Sequence, residues 1–397
     1  RVDGVVSATM GLKGKPEPDI FTTAADNLGV PYEEAVVVED ALSGVEAGRK
    51  GHFGLVIGIA REDNAAALYA HGADMVVSDL AEISMEEIAD WFHHGMDADG
   101  WSLSYHDYDP VKERSREALL TIGNGYFGTR GSMEEMTANE VNYPGTYMAG
   151  VYNRLVSEVG GRQVENEDLV NGIQWLPLSM SLDGGGFIDI NRMKVHHMHR
   201  RLDFRNGLLT RAMLVEDAQG RKTWVYSRRL ASMKDPHLAA IEYELSPVNY
   251  SGRVTLRSML TGDHINDGVK RYAELNQVHL KPEDAWAVGN VQHLSVRTTA
   301  SDILLQATAR HDVYLDDALH FPSFSHQTRP AVSSLTFSLE LERGSRIKLQ
   351  KIVYLSNDRM TLSAAADPLD LLNNAGDFDD MLQASAEAWG RIWEKAD

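Results

Sequence analysis

The first part of the chain alternates short continuous apolar runs with segments of helical periodicity. The runs are "AVVVED", "FGLVIGIA" and "DMVVSDL", and the helical segments are "PDIFTTAADNLG", "ALSGVEAGRKG", "EDNAAALYAHGA" and "SMEEIADWFHH". Strands without polar interruptions are typical of a parallel sheet that is covered by helices on both faces. Residues 1–95 are therefore predicted to form a partial α/β domain of Rossmann-like type.

After "GMDADG" (Gly95–Gly100) the pattern changes to many short runs in which apolar and polar residues alternate. Turn sequences such as "DAQGR" and "ERGSR" separate the runs. Residues 96–366 are therefore predicted to form a large antiparallel β-sandwich, with two sheets packed face to face. Helical spacing returns over 367–397, where one stripe contains Leu382, Ala386, Trp389 and Trp393. We expect such a helix to dock on another part of the protein.

Composition and charge narrow the classes of function. The 397 residues carry a formal charge of −20, which disfavours nucleic acid and anionic lipid as partners. No apolar run approaches the roughly 20 residues of a membrane span. The absence of cysteine excludes disulfides and thiolate chemistry and is compatible with a cytoplasmic location. The opening "RVDGVV" resembles the end of a strand, so we expect a further segment before it.

An acidic pair follows the first apolar run, and a lysine precedes it. Glu39 and Asp40 end "AVVVED", and Lys15 lies 24 positions before Glu39. Open parallel sheets bind ligands at the carboxyl ends of their strands. Two carboxylates there suit Mg²⁺, and a lysine ammonium could neutralise a phosphoryl group. The alternative is that both acids only stabilise the N-terminus of the following helix.

These motifs resemble the haloacid-dehalogenase superfamily, and β-phosphoglucomutases in particular. "GKPEPDIF" is similar to the family's lysine motif and carries Lys15. "VVVEDALSGVEAGRKG" is similar to its metal-binding motif and carries Glu39 and Asp40, with Ser43 as a candidate substrate contact in the adjoining loop. The resemblance implies that Lys15 stabilises phosphoryl charge and that Glu39 and Asp40 bind Mg²⁺. The family's aspartate nucleophile and general acid/base have no counterpart here, so it implies a partial site, with its Mg²⁺ position expected to be empty.

The alternating segment resembles the N-terminal domain of glycoside hydrolase family 65. The resemblance covers Gly100–Asp397 and rests on six ordered motifs: "LLTIGNGYFGTRGSMEE", "YPGTYMAGVYN", "ENEDLVNGIQWLPLSMSLDGG", "RRLDFRNGLLTR", "SRRLASMKDPHLAAIEYEL" and "GVKRYAEL". The fold it implies is a β-sandwich, then a helical linker, then an (α/α)₆ barrel. Residues 367–397 resemble the linker, so the resemblance implies that the barrel is not part of this chain.

The second resemblance implies a carbohydrate-active enzyme, because the family contains maltose, trehalose and kojibiose phosphorylases and some hydrolases. Inverting phosphorolysis of an α-glucosyl disaccharide, with inorganic phosphate as co-substrate, would yield β-glucose 1-phosphate for the mutase-like part. The general acid and the phosphate site belong to the barrel, so this chain alone is expected to be inactive. The alternatives are an α-glucoside hydrolase, or a non-catalytic β-domain for sugar binding or oligomerisation. The expected partner is a sugar or sugar phosphate, and a homodimer fits.

Two pairs of side chains invite a catalytic or metal-binding interpretation. Glu134 and Glu135 are adjacent, and neighbours on a strand point to opposite faces, so a structural or surface role is predicted. His197 and His199 share a strand face but lack a third ligand. A solvated strand face is predicted for them.

The glycine-rich stretch "GNGYFGTRG" lacks the spacing and the lysine of a phosphate loop, and a tight turn with packed aromatics is predicted. Tyr126 and Arg130 within it are candidates for contacting a sugar. Trp175, Trp224 and Trp286 could also stack on sugars, although core or interface positions are usual for tryptophan.

Overall fold

The computed structural model of the protein describes residues 11–61, 64–93, 101–266, 275–359 and 367–395. The chain divides into two compact units, Arg1–Ser102 and Leu103–Asp397. The opening "RVDGVV", the segment Gly95–Gly100 and nearly all of the motif "GVKRYAEL" lie outside the described residues. In the described segments, no helix combines the length and the apolar character that crossing a membrane requires.

The first unit contains a small parallel sheet and several helices. Its strands are β1 (Val36–Glu39), β2 (Leu55–Ile59) and β3 (Met75–Val77), in the order β1-β2-β3. Its helices are α1 (Asp19–Leu28), α2 (Leu42–Lys50), α3 (Ala65–Ala70) and α4 (Met85–His93), with 3₁₀ turns at Tyr32–Glu34 and Leu80–Glu82. The strands are the apolar runs of the sequence, and both pairs are parallel, as predicted.

A buried aspartate connects β2 to the start of β3. Asp74 is 5% exposed, and its Oδ2 accepts a hydrogen bond of 2.8 Å from the backbone N–H of Val56. Its Oδ1 lies 3.4 Å from a guanidinium nitrogen of Arg49. Burial raises the pKa of Asp74 to about 6, because it outweighs the opposing effects of Arg49 and of the Val56 N–H.

The second unit is an antiparallel β-sandwich. Its large sheet has the strand order β16-β17-β18-β22-β14-β13-β12-β11-β4, with β19 paired to β18. In chain order these strands are β4 (Ser102–Tyr105), β11 (Lys194–Asp203), β12 (Leu208–Glu216), β13 (Lys222–Ala231), β14 (Leu238–Pro247), β16 (Leu280–Val288), β17 (Val291–Thr298), β18 (Leu304–Leu315), β19 (Ala318–His320) and β22 (Ile347–Asn357).

The second sheet of the sandwich is smaller and has the order β10-β15-β21-β20. Its strands are β10 (Leu178–Leu182), β15 (Gly252–Thr261), β20 (Ser325–Arg329) and β21 (Val332–Leu341). Two accessory sheets contain β5 (Ile122–Gly123), β6 (Phe127–Thr129), β7 (Thr146–Met148), β8 (Tyr152–Val159) and β9 (Arg162–Leu169). A short helix, α5 (Glu113–Leu119), precedes β5, and a 3₁₀ turn at Ile190–Arg192 precedes β11.

Both faces of the large sheet are covered where β14 runs through it. Nine of the ten β14 residues are buried. Ala239, Ile241 and Tyr243 belong to the main core, together with residues of the four-stranded sheet such as Leu256 and Leu335. The alternate residues of β14 form a second cluster with the C-terminal helices α6 (Pro368–Asn374) and α7 (Phe378–Trp393). The large sheet is therefore the docking surface of the C-terminal helices.

A buried lysine lies between the two sheets. Lys351 of β22 is fully buried, and its Nζ donates hydrogen bonds of 2.6 Å to the carbonyl of Trp175 and 2.9 Å to that of Met259. Burial lowers the pKa of Lys351 well below its ordinary value. Because Met259 belongs to β15, this side chain connects the large sheet to the four-stranded sheet.

Candidate functional site

The carboxyl end of β1 carries the acidic pair, and a lysine reaches it from the turn before α1. Glu39 is the last residue of β1. Nζ of Lys15 forms an ion pair with Oε1 of Glu39 and lies 5.0 Å from the centre of the Phe21 ring. The Lys15 and Glu39 side chains are 32% and 13% exposed, so the pair remains open to solvent. The fold thus joins two of the predicted site residues at the edge where open parallel sheets bind ligands.

The carboxylate of Glu39 lies against the first turn of α2. A Cβ on Gly44 would clash with Oε2 of Glu39, so a glycine is needed to leave this carboxylate in place. The cap residue of α2 is Ala41, and its side chain makes no capping hydrogen bond. In the described part of the chain, the polar partners of Glu39 and Asp40 are basic side chains rather than helix N–H groups. Helix capping therefore does not account for the acidic pair.

Asp40 faces outward at the same edge and pairs with an arginine. Nε of Arg61 lies 3.1 Å from Oδ2 of Asp40, with side-chain exposures of 71% and 47%. Ser43 is exposed in the first turn of α2. The sequence reasoning missed Arg61, although it follows the run "LVIGIA" and so lies just beyond the carboxyl end of β2. Because β1 and β2 are parallel neighbours, a residue just beyond β2 lies at the same sheet edge as the acidic pair, and this is the signal in the sequence that points to Arg61.

The oxygen atoms of Glu39 and Asp40 fit Mg²⁺ in ligand type. Mg²⁺ is commonly bound by one or two carboxylates, with water and substrate phosphate completing its coordination. Among the described residues, no group of three or more His, Asp or Glu side chains is close enough together to hold a metal ion. Lys15 and Arg61 add two positive charges beside the carboxylates. This edge therefore combines groups that attract a cation with groups that attract a phosphoryl oxygen.

The two residues of "GNGYFGTRG" that were candidates for contacting a sugar take part in internal contacts. Tyr126 is 2% exposed, and its hydroxyl accepts hydrogen bonds of 3.0 Å from the backbone and the side chain of Asn357. Arg130 donates to the carbonyls of Tyr143 and Arg114. Its guanidinium also lies 3.6 Å from the carboxylate of Glu117. Both side chains therefore make contacts within the protein, which agrees with the predicted tight turn and its packed aromatics.

Glu134 and Glu135 are not on a strand, so the reason given for separating them was wrong. They lie in a turn, and both carboxylates approach the same guanidinium: Arg211 is 2.9 Å from Glu134 and 2.6 Å from Glu135. Arg229 lies 3.8 Å from Glu134. Burial alone would raise the pKa of Glu134, but the charges of Arg211 and Arg229 hold that pKa below its ordinary value. The predicted structural role agrees with this buried ion cluster.

His197 and His199 are buried, so the predicted solvated strand face was wrong. They are 4% and 2% exposed. The ring of His106 stacks on His199 at 4.3 Å, and Trp224 packs against His197. Burial lowers the pKa of His197 to about 3, with a smaller contribution from His106. The segment that contains His106 covers this face of the large sheet.

The three tryptophans differ in burial. Trp175 is fully buried, and its indole N–H donates a hydrogen bond of 2.9 Å to Thr129. Trp224 is 8% exposed. Trp286 is half-buried and stacks on His293 at 5.1 Å. Two of the three thus have the core positions that are usual for tryptophan.

The fold defines an antiparallel β-sandwich preceded by a small parallel α/β unit with a charged strand edge. Residues 103–392 match the family model described as glycosyl hydrolase family 65, N-terminal domain, and residues 1–52 match that of haloacid dehalogenase-like hydrolases. The chain belongs to glycosyl hydrolase family 65. Both resemblances drawn from the motifs are confirmed.

Individual relatives match either about three quarters or about a fifth of the chain. A glycosyl hydrolase of Mycobacterium tuberculosis is 34% identical over 299 residues, which is 75% of this chain and 22% of the relative. Kojibiose phosphorylase of Halothermothrix orenii is 25% identical over 75% of this chain and 37% of its own length. β-Phosphoglucomutase of Mycobacterium bovis is 55% identical over 86 residues, 21% of this chain and 33% of the enzyme. The chain therefore spans about a fifth to two fifths of the length of these relatives.

A solved structure agrees on the fold of the second unit. A kojibiose-phosphorylase-like protein from the human microbiome superposes with a TM-score of 0.64 at 20% sequence identity. The match covers 75% of this chain and 38% of that structure. At this identity the likeness concerns the β-sandwich fold alone.

Proposed function

We propose that this chain is part of an enzyme that couples inverting phosphorolysis of an α-glucosyl disaccharide to β-phosphoglucomutase chemistry. One observation carries the proposal: a segment 55% identical to a β-phosphoglucomutase precedes a family 65 domain in the same chain. Inverting phosphorolysis of an α-glucoside gives β-glucose 1-phosphate, the substrate type of such a mutase. The coupled reactions would convert disaccharide and phosphate into free sugar and glucose 6-phosphate.

In the mutase-like half, the charged edge of the parallel sheet would bind the phosphoryl group. Glu39 and Asp40 would hold Mg²⁺, which supplies positive charge to a bound phosphoryl oxygen. Lys15, which contacts Glu39, would turn its ammonium toward the phosphoryl oxygens when substrate binds. Ser43 is exposed on the adjoining turn and could donate a hydrogen bond to the same ligand. These residues bind and stabilise charge, and none of them is the covalent nucleophile.

The reaction is tested by its products. Given phosphate and an α-linked glucosyl disaccharide such as kojibiose, the full-length protein that carries this chain is expected to consume phosphate and to form β-glucose 1-phosphate. NMR of the anomeric protons follows that product, and a glucose 6-phosphate dehydrogenase assay follows the next. Release of glucose without consumption of phosphate would replace the phosphorylase with a hydrolase. No turnover of any disaccharide would favour the non-catalytic sugar-binding or oligomerisation module.

The assignment of the metal ligands is tested separately. Asp40→Ala should abolish Mg²⁺-dependent conversion of β-glucose 1-phosphate and weaken Mg²⁺ binding in a calorimetric titration, while phosphorolysis continues. Glu46→Gln removes another carboxylate from the same unit, where Glu46 lies 3.1 Å from Lys50, and serves as the control. Unchanged mutase activity in Asp40→Ala would remove Asp40 from the site.

Location and assembly complete the proposal. A cytoplasmic location fits a chain without cysteine and a reaction between phosphorylated sugars. A homodimer, formed through the β-sandwich, would suit a sheet of this size. Sedimentation velocity on the full-length protein would distinguish a dimer from a monomer.

A further inference from the structure

A cavity of about 250 Å³ lies beside the four-stranded sheet of the second unit. Its floor contains Ser179 of β10 and Arg257 of β15, which are directly opposite each other in the antiparallel register. The alternate residues of these strands point into the sandwich core, so Ser179 and Arg257 lie on the other face of the sheet. Two further segments contribute to its lining, residues 134–137 together with Asn139, and residues 187–189.

Arg257 has no carboxylate partner among the described residues, although it is only partly exposed. Its guanidinium lies 3.7 Å from the centre of the Phe187 ring, which fixes the plane of the group. Its Nε is buried and, within the described residues, lacks a hydrogen-bond partner. Burial lowers the pKa of Arg257 below its ordinary value. The cavity thus contains a partly desolvated cation that forms no ion pair with an acidic side chain in the described part of the chain.

Ser179 supplies a second unsatisfied group. It is 8% exposed, and its hydroxyl oxygen has no hydrogen-bond partner in the described part of the chain. Buried polar groups in folded proteins are nearly always hydrogen-bonded, so a hydroxyl without a protein partner that lines a cavity is available to water or to a ligand. The hydroxyl and the guanidinium belong to residues that are paired across the two strands. A single polar group of a ligand can therefore contact both.

The other charges around the cavity are compensated within the protein. The carboxylates of Glu134 and Glu135 pair with Arg211, and Glu134 is also near Arg229. Two negative charges therefore meet two positive ones. Asp189 lies 3.3 Å from Arg192 and accepts hydrogen bonds from Asn191. Among the described residues that line the cavity, the charge without an ion-pair partner is the positive one of Arg257.

We propose that this cavity binds a small phosphorylated sugar or polyol, with its phosphoryl oxygens on Arg257 and Ser179. A planar guanidinium binds two oxygens of such a group at once. A volume of about 250 Å³ is far above the roughly 10–15 Å³ that one water molecule needs, so the cavity has room for more than a bare phosphate ion. The remaining space is lined by the polar residues Thr137, Asn139 and Asp189, which suit hydroxyl groups. The site lies wholly within the β-sandwich unit and does not depend on the proposed coupled reaction.

Calorimetric titration with glucose 6-phosphate, glucose and inorganic phosphate tests the site. The titrations are made in EDTA on a Lys15→Gln/Asp40→Asn background, so that the charged edge of the first unit does not contribute. Saturable binding of glucose 6-phosphate is expected, with weaker binding of inorganic phosphate and none of glucose. Arg257→Gln should weaken the binding of glucose 6-phosphate at least about tenfold, and Ser179→Ala several-fold.

The matched control is Arg253→Gln, which removes an exposed arginine from the same strand and should leave the affinity unchanged. The melting temperature of each variant checks that it folds, and Ser179→Ala carries the test if Arg257→Gln does not. The proposal is overturned if the background protein shows no saturable binding, if glucose binds as tightly as its phosphate, or if both cavity variants bind as well as the control. Binding that requires Lys15 and Asp40 belongs to the first unit and equally overturns it.

Discussion

The two units place the same kinds of charged residues in opposite environments. In the first unit, Lys15–Glu39 and Arg61–Asp40 are ion pairs at an open sheet edge, and three of these four side chains are more than 30% exposed. In the second unit, Glu134, Glu135, Arg211 and Arg229 form a cluster that is almost completely buried. A list of acids and bases in the sequence does not distinguish the two arrangements. Exposure decides which charges are available to a ligand and which hold the core together.

Exposed and buried ion pairs also differ in how much they contribute to the stability of the fold. Exposed ion pairs contribute about 0–1 kcal/mol to stability, because water and salt screen them. Removing one partner of a buried pair costs about 3–5 kcal/mol, because an uncompensated charge remains in the interior. We therefore expect stability to respond strongly to changes in the second unit's cluster and weakly to changes at the edge of β1.

The largest effect is expected from Arg211→Met. This change leaves Glu134 and Glu135 buried, with Arg229 as their remaining basic neighbour, and should lower the free energy of unfolding by about 3–5 kcal/mol. Urea denaturation followed by tryptophan fluorescence measures the loss. Arg253→Gln, an exposed arginine in the same unit, should change stability by less than about 0.5 kcal/mol. Equal stability of the two variants would contradict a structural role for the cluster.

A pH dependence of opposite sign should distinguish the two units. The raised pKa of Asp74 stabilises the first unit below about pH 3.8, and this stabilisation is lost as the pH rises through about 6. The lowered pKa of Glu134 acts in reverse, because its contribution to the second unit is lost as the pH falls. Neutral pH is therefore the less favourable condition for Asp74, where burial of the charge dominates. It is the more favourable one for Glu134, because Arg211 and Arg229 outweigh the burial of its charge.

Asp74→Asn isolates the first of these effects. The amide oxygen can still accept the Val56 N–H, and the variant carries no charge to bury. The unfolding free energy of the first unit should then vary less between pH 4 and pH 6, and at pH 7 it should rise by up to about 3 kcal/mol. Hydrogen exchange of β2 amides reports this unit. Asp79→Asn is the control for charge, and an identical pH profile in both variants would exclude Asp74 as the cause.

A smaller effect on stability, but a clear one on binding, is expected from Gly44→Ala. The new methyl group would push the Glu39 carboxylate away from its position beside α2. Mg²⁺ affinity should fall about tenfold, equivalent to about 1.4 kcal/mol, while the helix itself is not weakened. Calorimetry with Mg²⁺ and circular dichroism separate the two readouts. Gly14→Ala, where a Cβ has open space around it, should leave the Mg²⁺ affinity unchanged.

The smallest effect is expected from breaking the Lys15–Glu39 pair. Lys15→Gln and Glu39→Gln should each lower stability by less than about 1 kcal/mol, and their coupling in a double-mutant cycle should also be below that value. A coupling as large as that of the Arg211 cluster would mean that the edge of β1 is structural. That result would weaken the comparison between the two units more than any other.

Local pattern predicted both fold classes, because periodicity depends on neighbouring residues. Continuous apolar runs became the parallel strands, and alternating runs became the sandwich strands. The sheet order was beyond reach, since β14 pairs with β22, more than a hundred residues away. For the same reason the burial of His197 and His199 was missed: His106, which stacks on His199, comes from a distant segment.

The candidate site residues also differ in whether the local sequence predicts them. Lys15, Glu39 and Asp40 were found because their motifs are local and the carboxyl ends of parallel strands share one edge. Ser179 and Arg257 were not found. A serine and an arginine on two separated strands form no motif, and only the strand register brings them opposite each other.

Lys351 has a consequence for how the sandwich is aligned. Apolar burial has no direction, so it fixes the offset between two sheet faces less sharply than hydrogen bonds do. A nitrogen in the dry interior that donates to the carbonyls of Trp175 and Met259 is satisfied at one offset only. A slip of one residue, about 3.3 Å, would leave both bonds broken with no water to replace them. The hydrogen bonds of this single side chain therefore fix the offset of one sheet against the other. Apolar contacts alone would define that offset less sharply.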